Sequence, residues 1–168
     1  TLRPNEGRFG GAVAVEEGTT NLVTNGNMAN GTTGWNPNQN VTLSVVEEVT
    51  PFGTLNFLKV VSNQSTSTPG VLSGEITVSS STTYTYSLLG RRQAGSNAYL
   101  YVMAWDGSSW YSPVWAERIL PTKFNRVSIT FTTGSSDTKV KFGVLWDGAS
   151  AGAWFEITQV QLEQKSFA

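Results

Sequence analysis

The chain has 168 residues and a formal net charge of −1, with 11 basic against 12 acidic side chains. That length suits one domain with a buried core, and that balance gives neither the basic footprint of a nucleic-acid binder nor a cationic membrane-surface patch. Histidine and cysteine are both absent, which excludes disulfides, thiolate zinc sites and Ser-His-Asp or thiol catalysis.

Taken in order, residues 1–19 begin polar and pass through Gly10-Gly-Ala-Val-Ala-Val-Glu-Glu-Gly18, where Val13 and Val15 alternate with alanines. This predicts a flanking segment with one short strand, packed on a domain spanning 20–168. Asn21 to Trp35 predicts a short strand and then a loop, with Asn25-Gly26 and Asn30-Gly31 as turn signals. Short β segments follow at Val41–Glu48, Leu55–Val61, Val71–Val78, Thr82–Arg92, Asn97–Trp105, Ala116–Leu120, Phe124–Thr133, Lys139–Trp146 and Trp154–Glu163, each bounded by turn residues. No stretch has a helical period and no apolar run approaches about 18 residues. The spacing predicts an all-β chain folded as a single-domain antiparallel β-sandwich of jelly-roll type. Trp105-Asp-Gly-Ser-Ser109 is echoed by Trp146-Asp-Gly-Ala-Ser150, as at two equivalent corners of such a sandwich.

The stretch that carries a functional reading is Asn97–Trp105. Alternate side chains of a strand point to opposite faces. One face here holds Ala98, Leu100, Val102 and Ala104; the other holds Tyr99, Tyr101, Met103 and Trp105. The first set fits a packed interior. The second fits a surface on which the C–H faces of sugar rings stack. Thr82–Arg92 is expected to form a hairpin with this strand. An odd loop sets Thr85, Ser87, Leu89 and Arg91 beside the aromatic row and buries Tyr84, Tyr86 and Leu88 with Leu100 and Val102. An even loop merges the tyrosines of both strands into one aromatic core. The odd register is preferred because it keeps Arg91 and the hydroxyls in water. Trp110, Tyr111 and Trp115 follow in a Ser/Pro-containing segment and join the candidate contacts. In the last segment the apolar phase changes from Phe155 and Ile157 to Val160 and Leu162, which predicts a bulge at Thr158-Gln159 with Trp154 and Glu156 facing outward. The candidate ligand-binding residues are therefore Tyr99, Tyr101, Trp105, Trp110, Tyr111, Trp115, Arg91 and Trp154, with no catalytic or metal-ligating set.

Asn21-Leu-Val-Thr-Asn-Gly-Asn-Met-Ala-Asn-Gly-Thr-Thr-Gly-Trp35 resembles the opening of carbohydrate-binding modules of the family 4, 9, 16 and 22 type, roughly N-L-x-x-N-G-D-F-E followed by G-W. Tyr84-Thr-Tyr-Ser-Leu-Leu89 is similar to their Y-x-x-S-F strand, and Phe155-Glu-Ile-Thr-Gln-Val-Gln-Leu162 to their closing F-x-I-D-D-V-x-L strand. The resemblance implies a jelly roll with a concave sheet that binds glycan chains, in a secreted, cell-surface or virion protein. The family often holds a structural calcium through a glutamate of the opening and an aspartate of the closing strand. Those positions carry Ala29 and Thr158 here, so no cofactor is expected to be required. Asn25, Asn27, Glu16, Glu17 and backbone carbonyls are the calcium donors that remain. The flanks, Phe9–Leu22 and Val160–Ala168, resemble segments framing such modules in phage tail and bacterial surface proteins. Together with the Thr1-Leu-Arg-Pro4 start they imply a module covalently part of a larger protein.

Two rivals are open to the same residues. A glycosidase needs two carboxyl groups flanking one bond, whereas Asp106 and Asp147 sit in Trp-Asp-Gly turns and Glu75 and Glu156 lie in no readable pair. A structural or protein-binding sandwich of a virion or cell surface, without a sugar site, is the other. The favoured reading is a non-catalytic module whose partner is a polysaccharide or oligosaccharide, with neither nucleic acid nor membrane.

Overall fold

The computed structural model describes residues 20–51, 53–64, 68–114 and 118–164. The expected strand within 1–19 lies outside these residues, as does Trp115. Two antiparallel sheets stack face to face. In the first, β1 (Trp35–Asn38), β4 (Gly70–Ser73), β10 (Lys139–Trp146), β7 (Ala98–Trp105) and β8 (Trp110–Val114) lie side by side, with β5 (Ile76–Thr77) also against β10. In the second the order is β2 (Val41–Thr50), β3 (Gly53–Ser62), β11 (Trp154–Glu163), β6 (Thr83–Arg92) and β9 (Asn125–Thr132). Most connections carry the chain from one sheet to the other, as in a jelly roll.

The two-residue period builds the core. Ala98, Leu100, Val102 and Ala104 of β7 and Val140, Phe142, Val144 and Trp146 of β10 are fully buried on the inner face of the six-stranded sheet. Tyr86, Leu88, Phe155 and Ile157 are buried against them from the five-stranded sheet. The Tyr86 and Phe142 ring centroids are 4.7 Å apart. The Tyr86 hydroxyl crosses the core to donate to the Gly143 carbonyl at 3.2 Å, and burial pushes its pKa upward. The bulge expected in the last strand is present, with the register of β11 against β6 shifting between Thr158 and Gln161.

The expected hairpin between Thr82–Arg92 and Asn97–Trp105 does not form. β6 pairs with β11 and β9, and β7 with β10 and β8, so these strands belong to different sheets. A five-residue connection spans up to about 16 Å, enough either to close a hairpin or to cross the roughly 10 Å between stacked sheets. The same inward residues are buried, but across the core from one another. Arg91 consequently lies on the opposite outer surface from Tyr99 and Tyr101, contrary to the expected shared face.

Three smaller expectations are also corrected. Within Ala116–Leu120, the described part contributes a single bridge, Ile119 to Tyr99, rather than a strand. The segment Val71–Val78 divides into β4 and β5 around Gly74. The two Asp-Gly turns are not equivalent, since Asp106-Gly107 closes the β7–β8 hairpin while Asp147-Gly148 leads from β10 into β11 in the other sheet. β1 and β8, not among the expected strands, each hold a proline, Pro37 and Pro113, and both are edge strands, where proline is tolerated.

Candidate functional site

β7 sets Tyr99, Tyr101, Met103 and Trp105 in a row on the outer face of the six-stranded sheet, each half-buried. The Asp106-Gly107 turn folds β8 back so that Trp110 lies opposite Trp105. Their ring centroids are 5.6 Å apart at an interplanar angle of 50°. Asp106 fixes this turn by accepting the backbone N–H groups of Ser108 and Ser109 at 2.8 Å each. Those two bonds, Ser109 first, hold its carboxyl down to about 2.

The neighbouring strand completes the surface. Register places Lys139 beside Trp105, Lys141 beside Met103, Gly143 beside Tyr101 and Leu145 beside Tyr99. The Lys141 ammonium stands 4.4 Å from the Trp110 ring centroid. Lys139 and Lys141 share Glu75, at 2.9 and 3.6 Å, and the Lys139 hydrogen bond leads in lowering the Glu75 pKa. Gly143 pairs on its other side with Leu72, which pairs with Asn36. A Cβ at Gly143 would collide with the Val71 carbonyl oxygen, so this point of the sheet takes no side chain. The result is a low floor between Tyr101 and Leu72, with Asn36 about 14 Å from Tyr101 across three strand spacings. The arrangement offers flat apolar rings with cationic and amide groups at the rim.

The other candidates lie elsewhere. Tyr111 is 39% exposed but turns over the sheet edge, where its hydroxyl donates to the buried Asp137 carboxylate at 2.7 Å. That bond, then burial, raises the Tyr111 pKa. Arg91 and Trp154 share the outer face of the five-stranded sheet. The Arg91 guanidinium lies 4.1 Å from the Phe124 ring centroid and 5.5 Å from that of Trp154. It pairs with Glu156 at 2.7 Å and Glu48 at 2.6 Å, and Lys59 reaches Glu156 at 3.4 Å. Of the eight candidates, then, Tyr99, Tyr101, Trp105 and Trp110 come together. Lys141, Gly143, Leu72 and Asn36 join them without having been singled out. Their signals were weak: a lysine alternating with buried apolar residues, and a glycine inside a strand.

Among the described residues, the Asn25 side chain at the family's calcium position is already engaged, while Glu16 and Glu17 lie outside the described residues. The Asn25 amide Nδ2 donates to the carbonyls of Gly31 and Thr33 at 3.0 and 2.9 Å, while its Oδ1 accepts the Asn30 N–H at 3.1 Å. Thr158 is buried, Ala29 supplies no side-chain oxygen, and no group of three or more His, Cys, Asp or Glu side chains converges among the described residues.

A jelly roll with an open, aromatic-bearing sheet face is the frame of a sugar-binding module. The model of the family described as carbohydrate binding domain matches residues 20–147, and the chain belongs to that family. A comparison with curated protein sequences gave no match. Among solved structures, the Family 16 Carbohydrate Binding Module-2 is 24% identical with a TM-score of 0.63, over 84% of this chain and 99% of that one. The CBM22-1–CBM22-2 tandem domain from Paenibacillus barcinonensis Xyn10C is 16% identical with a TM-score of 0.65, over 93% of this chain and 48% of that one. The enzymatically active domain of tailspike protein 4 from bacteriophage CBA120 shares the fold at 10% identity and a TM-score of 0.63, over 84% of this chain and 21% of that one.

Proposed function

We propose that this domain binds polysaccharide or oligosaccharide, without catalysis, on the outer face of its six-stranded sheet. The observation that carries the reading is the half-buried row of Tyr99, Tyr101 and Trp105, extended sideways by Trp110 and beside the side-chain-free position Gly143. Pyranose rings stack their C–H faces on such side chains, while Lys141 and Asn36 supply directional partners for hydroxyls. Family membership supports the ligand class, as does the module of family 61 solved with beta-1,4-galactotriose, 15% identical over 87% of this chain. Three of the carboxylates have other duties: Asp106 caps a turn, Asp137 holds Tyr111 and Gly134, and Glu156 neutralises Arg91 and Lys59. The proposal places the domain outside the cell, on a surface, in a secretion or in a virion, within a larger modular protein. No helix among the described residues is long and apolar enough to cross a membrane.

Affinity electrophoresis in gels containing soluble β-glucan, xylan, mannan or alginate tests the reading. Retardation by at least one polymer is the expected result, unchanged by a calcium chelator. Migration unaffected by every polymer would overturn it and favour a structural domain of a virion or surface protein.

A further inference from the structure

The bulge in β11 creates a second feature, remote from the aromatic row. It turns Gln159 outward at a backbone φ of 47°. It also lets the segment 21–27 dock closely, with Val160 N donating to the Gly26 carbonyl at 2.9 Å and Asn21 Nδ2 donating to the Val160 carbonyl at 3.2 Å. Between that segment, the bulge and Arg126 of β9 lies a recess of about 480 Å³. This is within the range of roughly 300–1,000 Å³ common to small-molecule sites.

Arg126 is the unusual member. It stands beside Leu89 in the register of β9 against β6, and its Nη2 reaches over β6 to the Ser87 hydroxyl at 2.8 Å. Among the described residues the salt bridges are made by Lys59, Arg91, Lys139 and Lys141, and none by Arg126. Burial lowers its pKa, with Glu163 acting through space in the other direction. A guanidinium carries five N–H donors in a planar fork that matches a carboxylate. Among the described residues its one hydrogen-bonded side-chain partner is a neutral hydroxyl, whereas Arg91 has two carboxylates. Around it, the Gln159 and Gln161 amides and the Thr24 hydroxyl make no side-chain hydrogen bond among the described residues, and all three line the recess. A half-buried cation with no salt bridge among the described residues is costly, and planar amides beside it are the groups that read sugar hydroxyls.

We propose that this recess is a second saccharide site that takes an anionic sugar residue, a hexuronate whose carboxylate pairs with Arg126 while its hydroxyls bond Gln159, Gln161 and Thr24. The site lies on the five-stranded sheet, so it works independently of the aromatic row.

The test is a titration of the ¹⁵N-labelled domain with digalacturonate, followed by amide shifts. Saturable shifts at residues 24–27 and 159–161 are expected, and they persist in Trp105→Ala. Arg126→Gln and, separately, the neutral methyl ester of the probe each weaken binding by about tenfold or more. Gln159→Ala, at an exposed position, weakens it severalfold. Should Arg126→Gln fail to fold, the methyl ester and Gln159→Ala arms decide. Absence of shifts at these residues up to roughly 10 mM probe, or equal binding of acid and ester, overturns the proposal.

Discussion

On the outer face of the five-stranded sheet, Phe124 and Trp154 flank the Arg91 guanidinium, and Phe124 stacks on the buried Phe57 ring at 4.4 Å. On the outer face of the six-stranded sheet, Trp105 and Trp110 meet each other, and Trp110 meets the Lys141 ammonium, as their ring contacts among the described residues. Aromatic rings stand on both surfaces, but on the first they cover a charge cluster whose centre, Glu156, is 1% exposed. On the second they stand half-buried beside Gly143, where the sheet carries no side chain. An aromatic side chain on a sheet surface is thus a structural lid where a cation and two carboxylates lie beneath it. It is a candidate contact where it stands partly exposed over the sheet.

The strongest way to break this contrast is Arg91→Ala. It leaves Glu156 buried with Lys59 as its remaining ion-pair partner and removes the cation from the Phe124 ring. Breaking such a pair by deleting one member costs about 3 kcal/mol, to be read as a shift in the urea midpoint. Glycan retardation on gels is expected to stay as in the parent protein at temperatures where the variant is folded. Trp105→Ala should do the reverse. The fold and its circular dichroism remain, and polymer affinity falls by at least about 1 kcal/mol, roughly fivefold. A large loss of stability in Trp105→Ala would assign that ring to the core and erase the distinction between the two faces.

Asp106→Asn sharpens the comparison with the smallest effect. The folded-state pKa of Asp106 lies below its ordinary value of 3.8, at about 2. Its contribution to stability is therefore present above pH about 4 and is lost as pH falls through about 2. The stability difference between the parent and Asp106→Asn should be constant at neutral pH and shrink over that interval. A difference independent of pH from 2 to 6, on the order of the range spanning both pKa values, would show that the turn does not depend on the carboxylate's charge. Because this turn sets Trp110 against Trp105, weaker glycan binding in Asp106→Asn at neutral pH would link the hairpin to the surface it supports.

Much of this was legible in the chain. The alternation in Asn97–Trp105 gave the correct burial of every residue in β7, and the apolar phase change after Ile157 located the bulge. What failed was pairing. The same five residues after Arg92 serve a hairpin or a crossing, and the choice moved Arg91 and Trp154 away from Tyr99 and Tyr101. Tyr111 misled for a related reason: its partner, Asp137, lies 26 residues away and on another connection. The recess around Arg126 was invisible because its walls come from three distant segments and its basis is a guanidinium with no salt bridge among the described residues, which no local pattern displays.

The sequence by itself determined the all-β class, the inward and outward sides of the long strands, and the family of the domain. Those follow from a two-residue period and from short local motifs, which act between neighbours in the chain. Only the tertiary structure decided which outward sides face the same solvent, which aromatic rings are covered, and that Arg126 makes no salt bridge among the described residues. Strand partners and sheet membership are fixed by the joint burial of residues far apart in sequence, and a side chain's surroundings exist only once those partners are in place.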